Sequence, residues 1–319
     1  MPQRKRGKVM SKRVLVFGSY VTDMCGRTNR LPVAGETVKG HYFKHGPGGK
    51  GSNQAVAAHR AGAEVTFITK IGDDSLGREV LTFYKGEKMS TDMVLIDREQ
   101  PTGVALIIVD EATAQNQIAV FGGACENFTD EDMPKILEKV EKTDILLLQL
   151  ETNLKPIQLI LKHAKKHGVF TVLNPAPAQH LKEEYLQCVD IITPNETEAQ
   201  FLTGVQVTDE SSAKLAARKL LDSGVGKVII TLGKIGSYAC DGEQEKLFDI
   251  VDVGPPVDST GAGDAFSGGL VAALAQGFDF FDAVWYGSTV AGIAVMRHGT
   301  APAMPYTEEI KRVFNKIPR

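Results

Sequence analysis

Apolar residues in this chain fall into short runs that alternate with longer amphipathic stretches. The runs that predict strands are residues 13–18, 144–149, 169–173, 189–193 and 228–231. These runs are nearly continuous, as expected for a parallel sheet covered on both faces. The stretches that predict the longest helices are residues 129–142, 154–167, 262–276, 280–297 and 306–316. The pattern therefore predicts an α/β fold, with a doubly wound, mostly parallel sheet flanked by helices.

A second group of segments alternates apolar and polar residues, which is typical of half-exposed strands. Residues 103–109 and 116–121 predict an antiparallel pair, and residues 37–43 alternate in the same way. Together they predict a small β-sheet, either a lid over a site or an extension of the main sheet, which could also contact a partner chain. We expect a basic tail over residues 1–12 and one domain over residues 13–319, with lid segments at about 24–45 and 98–122.

Composition and charge narrow the class of protein. The chain has 319 residues, is 43% hydrophobic and 24% charged, and carries a net charge of −3. This is a soluble globular composition without the basic field that nucleic acid would require. No apolar run of 18 residues predicts a membrane span, and no apolar segment after the basic run at 4–8 predicts a secretory signal. The four cysteines are scattered, which favours reduced packing residues in a cytoplasmic protein.

His163 and His167 are four residues apart on a predicted helix and could bind a metal. Both belong to the last turn before Gly168, where histidine interacts favourably with the helix dipole. The structural role is the preferred interpretation.

The turn at residues 258–264 has an aspartate at each end of a Gly-rich stretch, directly before an apolar helix. Backbone N–H groups at such a helix start have no intrahelical partner and favour an anion. Asp264 would oppose that anion, unless it acts as the base for a hydroxyl that receives a negatively charged group. A Gly-rich N-cap with aspartate as the capping residue explains the turn alone equally well.

A second Gly-rich loop, residues 46–51, precedes a helix of small residues. It matches G-x-G-x-x-G, but the strand before it is polar and is not the first buried strand, which argues against a dinucleotide site. The alternative is that the glycines let the backbone approach a small polar ligand such as a sugar. Lys50 and Asn53 would then donate and Asp23 would accept. Asp23 lies just past the first strand, where ligands bind in open sheets, although capping a turn is an equal interpretation.

Three more polar segments follow predicted strands. Glu151 comes after strand 144–149. It either reaches the rim of the sheet at which Asp23 is expected or places negative charge at the N-terminus of the predicted helix 154–167. Asn195 and Glu198 share one helix face, which suits a shell for hydrated Mg²⁺ but equally a capping box. Residues 231–236 either run past a nucleotide or form a plain hairpin.

In their order along the chain, these pieces resemble the ribokinase branch of the phosphofructokinase-B family of sugar kinases. The resemblance extends from about residue 13 to 305, and its motifs are residues 48–55, 174–177, 194–198 and 258–264. It implies a doubly wound core whose β-sheet lid often forms a homodimer contact. It also implies MgATP-dependent phosphorylation of the 5-hydroxyl of a pentose, with D-ribose as the leading hypothesis. A kinase of 2-deoxyribose or another small sugar, and a non-catalytic sugar sensor, are the alternatives.

The resemblance also implies residue roles. Asp264 would be the base, beside an anion hole formed by Gly261, Ala262, Gly263 and Asp264 itself. The residues that would hold the sugar are Val21, Asp23, Gly49, Lys50, Gly51, Asn53, Glu151 and Asp264. Those that would line the ATP site are Asn195, Thr231, Leu232, Gly233, Lys234, Ile235, Gly236, Gly263 and Ser288. Glu198 would lie near Mg²⁺, and an activating K⁺ would be held by Asp258 and by groups near Thr260, Ala294, Arg297, Gly299 and Ala303.

Three positions depart from the family pattern. Val21 stands where many ribokinases have Asn, and an apolar side chain there leaves room for 2-deoxyribose. Ala303 stands where a Ser often helps to bind the cation, and Ser288 stands where a His can approach the nucleotide.

Overall fold

Two β-sheets form the framework of the protein in the computed structural model, which describes residues 11–113 and 115–317. The strands, in chain order, are β1 (Arg13–Phe17), β2 (Val21–Thr28), β3 (Tyr42–Gly48), β4 (Glu64–Gly72), β5 (Val94–Asp97), β6 (Thr102–Asp110), β7 (Asn116–Gly123), β8 (Ile145–Leu148), β9 (Phe170–Leu173), β10 (Ile191–Ile192), β11 (Lys227–Thr231), β12 (Ser237–Cys240) and β13 (Glu245–Phe248). The basic run at residues 4–8 lies outside the described residues.

Helices cover both faces of the larger sheet. In chain order they are α1 (Lys50–Arg60), α2 (Ser75–Gly86), α3 (Met133–Glu141), α4 (Leu154–Lys166), α5 (Glu183–Leu186), α6 (Glu196–Thr203), α7 (Glu210–Asp222), α8 (Ala262–Ala275), α9 (Phe280–Ala294) and α10 (Thr307–Phe314). Among the described residues, no helix combines the length and the apolar character needed to cross a membrane.

The larger sheet confirms the predicted doubly wound architecture. Its strand order is β13-β12-β11-β10-β9-β8-β1-β4-β5, and the pairs from β11 to β5 are parallel. Alternate residues of β1 enter two separate cores: Val14 and Val16 pack with α1, α8 and α9, whereas Leu15 and Phe17 pack with α3 and α4. Burial on both faces explains why β1 is apolar without alternation.

The smaller sheet has the order β3-β2-β6-β7, with β2 and β6 parallel and the outer pairs antiparallel. The predicted antiparallel pair 103–109 and 116–121 corresponds to β6 and β7. The predicted strand at 37–43 was wrong, because β3 begins only at Tyr42 and continues through the glycine loop to Gly48. Pairing with β2 sets this register, since Gly48 lies opposite Val21. Pro47 is tolerated because β3 is an edge strand.

Candidate active site

Asp264 is the third residue of α8, whose N-cap residue is Gly261. It is only 6% exposed. Two side-chain amides hold its carboxylate. Asn53 Nδ2 donates to Oδ2 at 2.9 Å, and Gln54 Nε2 donates to Oδ1 at 2.8 Å. Each carboxylate oxygen keeps a further lone pair. The carboxylate is therefore fixed in orientation and can still accept a proton from a ligand.

A chain of buried amides positions Gln54 in turn. Gln149 Nε2 donates to Gln54 Oε1 at 2.7 Å, so the NH₂ group of Gln54 must face Asp264. The same NH₂ group donates to Asn174 Oδ1 at 3.0 Å, and Asn174 Nδ2 donates to the Thr193 carbonyl at 2.9 Å. The sequence interpretation gave no site role to Gln54, Gln149 or Asn174. For Gln149 and Asn174 the signal was a polar residue directly after an apolar strand, at the rim where ligands bind, whereas Gln54 lies within α1 and carried no such signal.

The crossing of α1 and α8 brings these groups together, and Gly268 permits the close approach. A Cβ at residue 268 would lie 2.5 Å from the Ala57 Cβ and 2.7 Å from the Gln54 carbonyl oxygen. Neither neighbour is the end of a flexible side chain. The missing side chain at Gly268 is therefore what lets Asn53 and Gln54 reach Asp264.

Lys50 and Glu151 meet at the start of α1. The backbone N–H of Lys50 donates to Glu151 Oε2 at 2.8 Å, and the Ser19 hydroxyl donates to the same oxygen. Glu151 therefore supplies negative charge at a helix N-terminus, although the helix is α1 and not the following helix α4. Burial alone would lower the pKa of the Lys50 ammonium, but the nearby carboxylates of Asp264, Glu151 and Glu198 leave that pKa raised. Lys50 is accordingly a stable positive charge in the site.

Asp23 lies on β2, where its carboxylate packs against Gly48. A Cβ at residue 48 would lie 2.2 Å from Asp23 Oδ1, so this glycine makes room for the carboxylate. Thr300 Oγ1 donates to Asp23 Oδ2 at 3.2 Å. Burial raises the pKa of Asp23 to about 6, and the negative charges of Glu151 and Asp264 add to the rise. A carboxylate held at this cost to stability is typical of a functional site.

We expect Asp23→Asn to stabilise the protein more at pH 7.5 than at pH 4.5. The folded-state pKa is about 6 and the unfolded value about 4, so the folded state binds more protons between these values. The stability contribution of Asp23 is thus complete below about pH 4 and is lost as the pH rises through 6. The expected difference between the two pH values is about 2 kcal/mol in the free energy of unfolding. Urea denaturation at the two pH values measures it, with Asp92→Asn as the control for removal of a carboxylate from an exposed position.

The start of α8 forms one side of a cavity of about 170 Å³. Its lining residues are Lys50, Asn174, Ala176, Thr193, Asn195, Glu198, Thr231, Ser259, Gly261, Ala262, Gly263, Asp264 and Ser267. A Cβ at Gly263 would meet no atom within 4 Å, so the backbone of the first α8 turn is open on that side. The Ala262 amide, which the sequence assigned to the anion hole, donates to the Ser259 carbonyl oxygen at 3.2 Å. The amides of Gly263 and Asp264 precede the first helical acceptor and can bind an anion. The cavity thus combines the open start of α8, the Lys50 ammonium and the Asp264 carboxylate.

Asn195 and Glu198 form the capping box that the sequence left as one of two interpretations. The Glu198 amide donates to Asn195 Oδ1 at 2.8 Å, and the Asn195 amide donates to Glu198 Oε2 at 2.9 Å. Glu198 nevertheless lines the cavity, and burial raises the pKa of its carboxyl group while Lys50 opposes the rise. Capping and ligand binding are compatible here because the second carboxylate oxygen is not used by the cap.

A larger cavity of about 520 Å³ lies between the main sheet and the smaller sheet. Its lining residues are Ser19, Val21, Val120, Gly122, Cys125, Glu126, Leu150, Glu151, Thr152, Asn153, Leu154, Pro177 and Gln179. Glu151 lines this cavity and contacts the amide of Lys50, which lines the smaller one. The two cavities are therefore neighbours, with the start of α1 between them.

Most of the remaining predicted residues lie near the cavities without lining them. Gly49 and Gly51 flank Lys50 at the start of α1. Residues 231–236 form the hairpin from β11 to β12, with a short 3₁₀ turn at Gly233–Ile235, and only Thr231 of this segment lines the smaller cavity. Ser288 lies on α9 and lines neither cavity.

The residues expected to bind a monovalent cation come from the loop before α8 and from the segment that begins at the end of α9, and these two segments contact each other. The Gly299 amide donates to Asp258 Oδ2 at 3.0 Å, and the Thr260 amide donates to Oδ1 at 2.9 Å. Burial raises the pKa of the Asp258 carboxyl group and the hydrogen bonds lower it. The hydrogen bonds have the larger combined effect, so the pKa is below its usual value. The Arg297 amide donates to the Ala294 carbonyl at 3.1 Å, and Ala303 is buried in a short 3₁₀ helix.

Fold and site together define a class: a doubly wound α/β protein with a fixed carboxylate beside a helix N-terminus, suited to moving an anionic group onto a hydroxyl. A family model for pfkB family carbohydrate kinases matches residues 11–307. The chain therefore belongs to the pfkB family of carbohydrate kinases, which are phosphotransferases with an alcohol group as acceptor.

Relatives within this family include a Haemophilus influenzae ribokinase, which is 39% identical over 94% of this chain and 97% of its own length. A Salmonella typhi deoxyribokinase is 35% identical over 95% of this chain and 98% of its own. Among solved structures, an Arabidopsis thaliana ribokinase in complex with ribose and ATP matches with a TM-score of 0.88 and 29% identity, covering 97% of this chain and all of that one.

Proposed function

We propose that this protein is an ATP-dependent ribokinase that converts D-ribose to D-ribose 5-phosphate. The observation that carries the proposal is the Asp264 carboxylate, which two amides orient at the edge of a cavity that also contains Lys50 and the open start of α8. The similarity to curated ribokinases over nearly the full length supports the choice of sugar.

In the proposed reaction, Asp264 accepts the proton of the sugar 5-hydroxyl. The hydroxyl oxygen forms a bond to the γ-phosphorus of ATP, the bond from that phosphorus to the bridging oxygen breaks, and ADP leaves with the electron pair. The backbone N–H groups of Gly263 and Asp264, together with the Lys50 ammonium, stabilise the negative charge of the transferring group. Positioning and electrostatics supply most of the rate enhancement in such transfers.

The sugar would occupy the junction of the two cavities. Asp23 and Glu151 accept hydrogen bonds from hydroxyls, and Asn53 and Lys50 donate to them. Asn53 Oδ1 is buried without a hydrogen-bond partner in the described residues, so a sugar hydroxyl would complete its bonding. Asn195, Thr231 and the start of α8 would then face ATP in the smaller cavity.

The residues present also fit the two cations implied by the family. Glu198 directs a carboxylate into the smaller cavity, which suits Mg²⁺ with most of its water shell retained. Mg²⁺ would neutralise phosphate charge. The ionised Asp258 and the neighbouring carbonyls form an oxygen-rich set that fits K⁺, although Ala303 offers no side-chain oxygen to it.

We further propose that the protein is cytoplasmic and forms a homodimer through the smaller sheet. That sheet exposes large apolar side chains, including Phe43 at 65% and Phe121 at 56%. Burial of these side chains against a second copy would remove an exposed apolar face and cover an edge strand.

The alternative substrate 2-deoxyribose is favoured by one observation. Val21 is 4% exposed and lines the larger cavity, where an apolar side chain cannot hydrogen-bond a 2-hydroxyl. If this side chain faces C2 of the sugar, the 2-hydroxyl of ribose adds little to binding, and the enzyme discriminates only weakly against 2-deoxyribose.

We expect Val21→Asn to raise the preference for ribose over 2-deoxyribose. One added hydrogen bond of about 1.4 kcal/mol corresponds to about a tenfold change in the ratio of kcat/KM values. Steady-state assays of ADP release with both sugars measure the ratio, and Val21→Thr, which nearly preserves the shape of valine, should give a smaller shift in the same direction. A ratio that Val21→Asn leaves unchanged would remove Val21 from the determinants of specificity. Absence of ADP release with every pentose would instead favour a non-catalytic sugar sensor.

A further inference from the structure

A cluster of three metal-ligating side chains lies where α3 and α4 end. His163 belongs to the last turn of α4, His167 caps that helix, and Glu141 is the last residue of α3. Glu141 Oε1 lies 2.9 Å from His163 Nε2 and 3.6 Å from His167 Nε2. The three ligand atoms all lie within 4.8 Å of one another. In the described part of the chain no other such group of three occurs.

The hydrogen bond of His167 favours the tautomer that can bind a metal through Nε2. Its Nδ1 lies 2.9 Å from the backbone carbonyl oxygen of His163, which can only accept a hydrogen bond. The proton of a neutral ring is therefore on Nδ1, and Nε2 carries the lone pair that faces Glu141. Metal-binding histidines commonly use their second nitrogen in this way, which fixes both tautomer and ring orientation.

The spacing of the three atoms is close to that of a four-coordinate site. Ligand atoms about 2.0–2.1 Å from Zn²⁺ in a tetrahedron are roughly 3.3 Å apart. The separations of 2.9 and 3.6 Å between Glu141 Oε1 and the two histidine nitrogens fall on either side of that value, and the histidine nitrogens lie within 4.8 Å of each other, so the three groups can converge on one ion by side-chain rotation. Two histidines and one glutamate leave a fourth position for water, because the side chains remain 20–44% exposed.

We propose that Glu141, His163 and His167 form a surface site for Zn²⁺ or a similar divalent ion that links the end of α3 to the end of α4. The hydrogen bond to Glu141 places a proton on His163 Nε2. When the ion binds, this proton goes to solvent and the ring is protonated on Nδ1 instead, so that Nε2 offers its lone pair to the ion. Lys139, Lys165 and Lys166 lie in the same last turns. These lysines make the local charge positive, and positive charge repels cations. Binding of a cation here therefore depends on the three ligands themselves.

The position of the cluster separates it from the phosphoryl-transfer site. The ends of α3 and α4 lead into the starts of β8 and β9, whereas Gln149 and Asn174 lie just past the opposite ends of those strands. The ion therefore lies at the amino edge of the sheet and the candidate active site at the carboxyl edge. Its expected effect is on stability, without a change in sugar kinetics.

Isothermal titration of the full chain with ZnCl₂ tests the proposal. The wild type should bind one Zn²⁺ that the His163→Gln/His167→Gln double variant does not bind, and Glu141→Gln should weaken this binding at least about tenfold. The expected rise in Tm at Zn²⁺ concentrations about a hundred times Kd is a few degrees. The exposed His180→Gln is the matched control and should behave as the wild type.

Titration with Co²⁺ adds a spectroscopic measurement that distinguishes this site from non-specific binding elsewhere on the surface. A tetrahedral site with two histidines gives visible absorption bands of high intensity, which the double variant should lack. Circular dichroism checks that the variants fold. Equal Zn²⁺ affinity in the wild type and the double variant would overturn the proposal, and so would a Glu141→Gln variant that binds as tightly as the wild type.

Discussion

Replacing Asp264 by asparagine is expected to lower kcat by about 10²–10⁴, the range for loss of a general base. The side chain keeps its shape, and KM for both substrates should change far less than kcat. The buried amides can adapt, because Asn53 Oδ1 has no partner in the described residues. If the Asn53 amide turns over, that oxygen accepts a hydrogen bond from the new NH₂ group. The variant should therefore fold, and steady-state ADP release at saturating ribose and MgATP measures the effect.

The matched control is Asp209→Asn, at the N-cap of the surface helix α7. Asp209 accepts a hydrogen bond from the Ser212 amide, and asparagine caps a helix equally well. Its kinetics should equal those of the wild type. An Asp264→Asn variant with wild-type kcat would show that another group accepts the proton.

The second large effect is expected for Gly268→Ala. The added methyl group would lie 2.5 Å from the Ala57 Cβ and 2.7 Å from a backbone carbonyl, so α1 and α8 must move apart. Overpacking of this kind costs about 1–3 kcal/mol in the free energy of unfolding. The same shift moves Gln54 away from Asp264, and a displacement near 1 Å at a reacting group costs about 10²-fold in rate. Urea denaturation and kcat should therefore both report the change.

Gly86→Ala is the control for this substitution. Gly86 is also helical, at the end of α2, but a Cβ there meets no atom within 4 Å. It should leave kcat unchanged and leave stability equal or slightly higher, because alanine has the better helix propensity. A Gly268→Ala variant with wild-type stability and rate would mean that the crossing of α1 and α8 adapts without moving Gln54.

The sequence was sufficient to predict strands β1, β8, β9, β10 and β11 of the parallel sheet, because these strands are buried on both faces and carry a nearly continuous apolar signal. Strand β5 was not predicted. The smaller sheet was harder. β2 and β3 contain Asp23, Gly46 and Pro47, which do not resemble a strand, and their register follows from pairing with each other and with β6. Strand propensity is local, whereas this pairing joins residues far apart in sequence.

The sequence predicts the candidate site only in part. The turn at 258–264 holds both the helix start and Asp264, and alone it fitted an anion site beside a base and a capped helix start equally well. In the structure the cap residue is Gly261, without a side-chain cap bond. The amide chain from Gln149 through Gln54 to Asp264 joins residues 95 and 210 positions apart. No local pattern records such a contact, because it depends on how closely α1 and α8 cross at Gly268.

The most direct test of the central claim is ADP release with D-ribose compared with 5-deoxyribose, each with MgATP and K⁺. The two sugars differ only in the hydroxyl that Asp264 is proposed to deprotonate. We predict rapid ADP release with ribose and none above background with 5-deoxyribose, with phosphate found on O5 of the product. Equal ADP release with the two sugars, or none with ribose, would contradict the proposed transfer to the 5-hydroxyl.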